Sequence, residues 1–157
     1  MLYRQQSGDP TQPLPAHQTD QETLVNLIQT TQSDNIRWQS AELLWELNPG
    51  HPACPIMTAK DVGVYLMGHR VALAIGVLPK PDHSLLMLTR VYPLGEHTHL
   101  PPGLTLTGLD DTGAPFFEVA SRQQDNYIQF KFVADDGDRF SLQLTLDQAT
   151  FVESFVV

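Results

Sequence analysis

The apolar residues of this chain change their period part-way along it. Leu24, Leu27, Ile28 and Thr31 fall on one helical face, and Trp38, Ala41, Leu44 and Trp45 recur at the same helical spacing. From Asp61 onward the period is two. Phe140, Leu142, Leu144 and Leu146 alternate with Ser141, Gln143 and Thr145, and Ile128, Phe130 and Phe132 alternate with Gln129 and Lys131. Helices first and strands afterwards is the pattern of an α+β chain.

Local signals place the boundaries. Thr19, with Glu22 three residues on, makes a capping box, and Ser33-Asp34-Asn35 ends the first helix and caps the second. Asn48-Pro49-Gly50 stops the second helix. Further alternating runs are Leu104 with Leu106, Phe117 with Val119, and Phe151 to Val157. Turns are marked at Asp111-Thr112-Gly113, Asp125-Asn126 and Asp136-Gly137-Asp138; Asp-Gly between alternating runs is a strong hairpin signal. Residues 71–78 and 85–92 are apolar on both faces and so need cover on both. The small residues Ala72, Ala74 and Gly76 would admit a helix closely. The expected fold is therefore an N-terminal two-helix hairpin packed on an antiparallel β-sandwich of seven or eight strands. Residues 1–18, with Pro10, Pro13 and Pro15, read as a flexible arm. The hairpin spans 19–50, and the sandwich, 51–157, forms one compact domain with it.

Charge and cysteine content narrow the function classes. The formal net charge is −9, and from Glu96 on ten acidic residues face only Arg122, Lys131 and Arg139. Nucleic acid and anionic membrane both demand a basic face, so neither is expected as a partner. Cys54 is the only cysteine, which suits a reducing compartment. The first residues lack the apolar run of a signal peptide, and no stretch approaches a membrane span. A cytoplasmic location follows as the expectation.

Two stretches carry a resemblance. The run LVNLIQTTQSDNIRWQSAELLWELNPGHP (24–52) resembles the short HEAT-like helical repeats of cyanobacterial signalling proteins with NACHT-type ATPase modules. The segments GHRVALAIGVLPK (68–80), RVYPLGE (90–96), LPPGLTL (100–106), DNYIQFKF (125–132), GDRFSLQLTL (137–146) and ESFVV (153–157) are similar to the C-terminal region of a cyanobacterial family known only as a domain of unknown function. The resemblance implies no catalytic residues and no cofactor, and it suggests a signalling-type context.

Candidate chemistry is sparse. His97 and His99, alternating in Glu96-His97-Thr98-His99, could chelate zinc with Glu96 or Cys54, but the spacing matches no zinc motif and a polar loop is the expectation. A Cys54–His51 couple lacks any feature that would lower the thiol pKa. Residues 103–108 have the glycines of a phosphate loop without its Lys-Ser/Thr. Trp38 and Trp45 read as hairpin core before they read as a peptide-binding pair. One geometric inference remains. If residues 104–146 run as a simple up-and-down series, turns 110–113 and 135–138 lie at one end, and Asp110, Asp111, Asp135, Asp136 and Asp138 gather on one rim. Solvated turn chemistry explains aspartates there; an electronegative docking rim and a weak calcium site are the sharper readings. The function expected is a non-enzymatic interaction or regulatory module that binds another protein, with self-association left open. The second reading is a small-ligand or metal-binding sandwich that senses a solute.

Overall fold

Thr19 begins the first helix by the reciprocal bonds its sequence allows. In the computed structural model, which describes residues 19–157, the Thr19 hydroxyl accepts from the Glu22 amide and the Thr19 amide donates to the Glu22 carboxylate. Two amides that a helix start leaves without partners are satisfied. Helix α1 runs Asp20–Thr30 and helix α2 runs Asp34–Leu47, the latter capped by the Ser33 hydroxyl accepting from the Ile36 amide. The arm assigned to 1–18 lies outside the described residues.

The two helices are tied by a residue the periodicity did not single out. Arg37 is buried, and its guanidinium donates to the Ile28 carbonyl at 2.9 Å, to the Thr31 carbonyl, and to Asp34. The last turn of α1 holds no basic residue of its own. Arg37 supplies from the next helix both the donors and the positive charge that a helix C-terminus favours. At the other end Asn48 donates to Gln21 at 3.4 Å, so the helices run antiparallel.

Eight strands follow: β1 (Ile56–Asp61), β2 (Val71–Pro79), β3 (Leu85–Pro93), β4 (Thr105–Leu109), β5 (Pro115–Ala120), β6 (Ile128–Ala134), β7 (Arg139–Leu146) and β8 (Ala149–Val156). They form two four-stranded sheets, in the orders β1-β2-β3-β6 and β5-β4-β7-β8, and every pairing is antiparallel. The α+β architecture with a β-sandwich agrees with the sequence reading. Strand β1 is an addition to it: Thr58, Ala59, Lys60 and Asp61 are exposed, so no apolar alternation marks the strand, and pairing with β2 defines it.

Alternation sorts the faces. Val71, Leu73, Ile75 and Val77 of β2 join Leu104, Leu106, Leu142 and Leu144 in the core between the sheets, while Ala72, Ala74, Gly76 and Leu78 take the opposite face of β2. The chain divides into two compact units, the first ending at Pro55 and the second spanning Ile56–Val157.

The connectivity departs from a simple up-and-down series. Strands β4, β5 and β7 lie in one sheet and β6 in the other, so the chain crosses between sheets before β6 and again after it. The two aspartate-rich turns nevertheless sit at the same end. The pairing of Leu109 with Ser141 brings the end of β4 beside the start of β7, and each turn extends directly from one of those strands.

Candidate functional site

The turn after β4 is built by its first aspartate. Asp110 Oδ1 accepts from the Thr112 amide at 2.9 Å, the Thr112 hydroxyl at 2.6 Å and the Ala114 amide at 3.0 Å. The Thr112 hydroxyl first, and then the Ala114 and Thr112 amides, hold the Asp110 carboxyl below the usual carboxylate range. Gly113 closes the turn at φ +86°, a conformation that suits glycine. The turn between β6 and β7 repeats the device: Asp138 Oδ2 accepts from the Asp135 amide at 2.8 Å, with Gly137 at φ +89°. Asp110 and Asp138 are thus turn builders. Asp111, Asp135 and Asp136 have no side-chain hydrogen bond or ion pair among the described residues.

Beside these turns runs a ladder of phenyl rings. Phe117 stacks on Phe130 with centroids 4.1 Å apart and planes within 9°, and Phe132 meets Phe116 and Phe140 edge-on, each at 5.2 Å. Gly108 makes the ladder possible. A Cβ there would stand 2.1 Å from the Phe117 ring, so only a bare backbone lets that ring lie across β4. Phe117, Phe130, Phe132 and Phe140 belong to the core or pack against it, whereas Phe116 is 40% exposed.

Rings and turns meet in an open cleft of about 440 Å³. Phe116, Phe132 and Phe140 line it together with Asp110, Asp111, Asp138 and Arg139. Of the five rim aspartates, three reach the cleft; Asp135 and Asp136 share the second turn but do not line it. Sequence reasoning missed the aromatic lining and Arg139. Phe132 and Phe140 look like interior strand residues, and the available signal was the Phe116-Phe117 pair; a register irregularity opposite Gly108 and Leu109 sets the two rings side by side, with centroids 5.1 Å apart, instead of on opposite faces.

The remaining candidates do not converge. His97 and His99 are exposed, and His99 Nδ1 meets the Thr98 hydroxyl at 3.0 Å. The Cys54 thiol donates to the Asn48 carbonyl at 3.3 Å, and His51 Nδ1 accepts from the Ala53 amide at 3.0 Å, so the two side chains are engaged elsewhere than with each other. Trp38 is 1% exposed and Trp45 is 40% exposed, which makes one of them core and the other surface. Among the described residues no three His, Cys, Asp or Glu side chains gather as a metal would require. No described helix is long and apolar enough to cross a membrane.

A family model described as a protein of unknown function, DUF1822, matches residues 2–156, and the chain belongs to that family. The match runs through both helices as well as the strands, so hairpin and sandwich fall within the one family region. No curated protein and no solved structure matches the chain.

Proposed function

We propose that this chain is a non-enzymatic protein-interaction or regulatory module, which docks a partner at the cleft between turns 110–113 and 135–138. One observation carries the reading: aspartates from two turns and three phenyl rings meet in the same open cleft. A cationic side chain suits such a lining. Its charge is drawn by Asp111 and its neighbours and by the faces of the rings, and its methylene stem lies on apolar surface. The excess of acidic over basic residues from Glu96 onward would also speed the approach of a basic partner. The absence of catalysis is part of the proposal; in its support, Cys54 and His51 are each engaged with backbone groups and not with each other, so this one pair is not a nucleophile–base couple. A HEAT-like role for the helices, a cyanobacterial origin and a signalling context extend the proposal on resemblance alone, and a cytoplasmic location extends it on the single cysteine.

The test is a calorimetric titration with three short peptides that differ only in one central residue: lysine, glutamine or glutamate. The lysine peptide should bind, the other two should not, and added salt should weaken binding, because exposed charge is screened. Asp111→Asn and Phe116→Ala should each reduce affinity. Equal binding of all three peptides contradicts the proposal. The cleft volume also lies within the span of small-molecule sites, which keeps a solute-sensing sandwich as the second reading. That reading is favoured if a small organic cation alone raises the melting temperature as much as the peptide does.

A further inference from the structure

The hairpin bears a second apolar surface that its own packing leaves open. On α2, Trp38, Ala41 and Leu44 are buried. Ile36, Leu43 and Leu47, at spacings of seven and four residues, form another stripe beside that one. All three are exposed, Leu43 by 52% and Leu47 by 56%. Across from Leu43 and Leu47, α1 presents Thr23 and Leu24, and between the two ridges lies a groove of about 550 Å³. Asp20 and Glu46 also line it. The hairpin around this groove is strongly acidic: Asp20, Glu22, Asp34, Glu42 and Glu46 face a single arginine, Arg37, and that side chain is buried.

We infer that this groove receives a basic amphipathic helix of another protein, with leucine-like side chains over Leu24, Leu43 and Leu47 and lysine or arginine against Asp20 and Glu46. A helix laid along a two-helix groove needs anchors about one turn apart, and two parallel ridges provide them. Charge selects the occupant. A second copy of this chain would set Asp20 and Glu46 against the same carboxylates, which like-charge repulsion opposes. Nucleic acid is repelled for the same reason. The site belongs to the first unit and does not rest on the cleft of the sandwich.

The probe is a synthetic amidated peptide of about 14 residues, long enough to span the groove as a helix, with leucines on one face and lysines on the others. Its control has the same composition with the leucines scattered round the helix. Titrated into the full chain, the amphipathic peptide should bind about tenfold more tightly than the control, or better. Leu43→Gln with Leu47→Gln should cost about tenfold or more in affinity without loss of helix content by circular dichroism. Asp147→Asn, an exposed acidic residue in the turn after β7 and outside both the groove and the cleft, should leave the affinity unchanged. Asp20→Lys with Glu46→Lys, which leaves the apolar lining intact, should abolish binding even if the glutamine pair disturbs the hairpin. Failure of the amphipathic peptide to bind, equal binding of the two peptides, or binding that survives both pairs of substitutions overturns the inference. A dimeric chain that becomes monomeric in the Leu43→Gln, Leu47→Gln variant also overturns it, since the groove would then hold a second copy.

Discussion

The Phe117 ring lies where a Cβ on Gly108 would have to be, so the space over β4 is occupied already. Gly108→Ala should therefore displace a ring that is stacked on Phe130, at a cost of about 1–3 kcal/mol, as for other overpacked sites. Urea unfolding of the variant is the check, and Gly113→Ala would be strained for a different reason, its φ of +86°. Asp110 gives a pH signature. Its carboxyl sits below the ordinary aspartate range in the folded chain and returns to that range on unfolding. A depressed folded pKa stabilises above the unfolded pKa, and the contribution is lost as pH falls through the folded value. Asp82, held down first by the Ser84 hydroxyl, and Asp125, held down first by the Arg122 amide, act with the same sign. Thr112→Val removes the largest cause at Asp110, so acid unfolding followed by fluorescence should begin at a higher pH than in the parent. The capping pair Thr19–Glu22 was legible because both partners are three residues apart and of the right types. The Gly108–Phe117 contact was not: the turn at 111–113 marks a hairpin, but the register that sets Gly108 opposite Phe117 includes an irregularity at Gly108 and Leu109 that no local pattern reveals.

Both helices and seven of the strands follow from periodicity; β1 does not, since its side chains face mostly solvent and its existence depends on hydrogen bonds to β2. The order of strands was equally hidden. Turn signals say where the chain reverses but not whether the next strand stays in its sheet, and β6 leaves. The two aspartate turns share an end even so, because the pairing of β4 with β7, rather than a meander, brings them together. Arg37 marks another limit of pattern reading. An arginine on a helix ordinarily reads as solvated, and only the unsatisfied end of α1 explains its burial. Arg37→Met keeps most of the stem but leaves the Ile28 and Thr31 carbonyls without their donor. It should cost on the order of 3 kcal/mol, seen as a lower midpoint in urea unfolding followed at 222 nm. Arg37→Lys should recover only part of this, because an ammonium cannot fork between two carbonyls and a carboxylate.

At the scale of the whole chain the acidic excess, a formal net charge of −9, is what the docking reading and the calcium reading share. Asp110 and Asp138 are bound into their turns, which leaves calcium a poor set of ligands around them. Millimolar calcium should accordingly leave the melting temperature unchanged; a rise of several degrees that disappears in Asp136→Asn would move the metal reading ahead of the docking reading. The central claim is that the aromatic cleft takes a cationic side chain of a partner. Its most direct measurement is a nuclear magnetic resonance titration of the isotopically labelled full chain with the lysine peptide, read residue by residue. The account predicts shifts concentrated at Asp111, Phe116, Phe132, Arg139 and Phe140, saturating with peptide, weakened by salt and lost in Asp111→Asn with Phe116→Ala. Shifts spread over the other acidic turns, such as those at Asp82 and Asp125, or no shifts at the cleft at all, would contradict it.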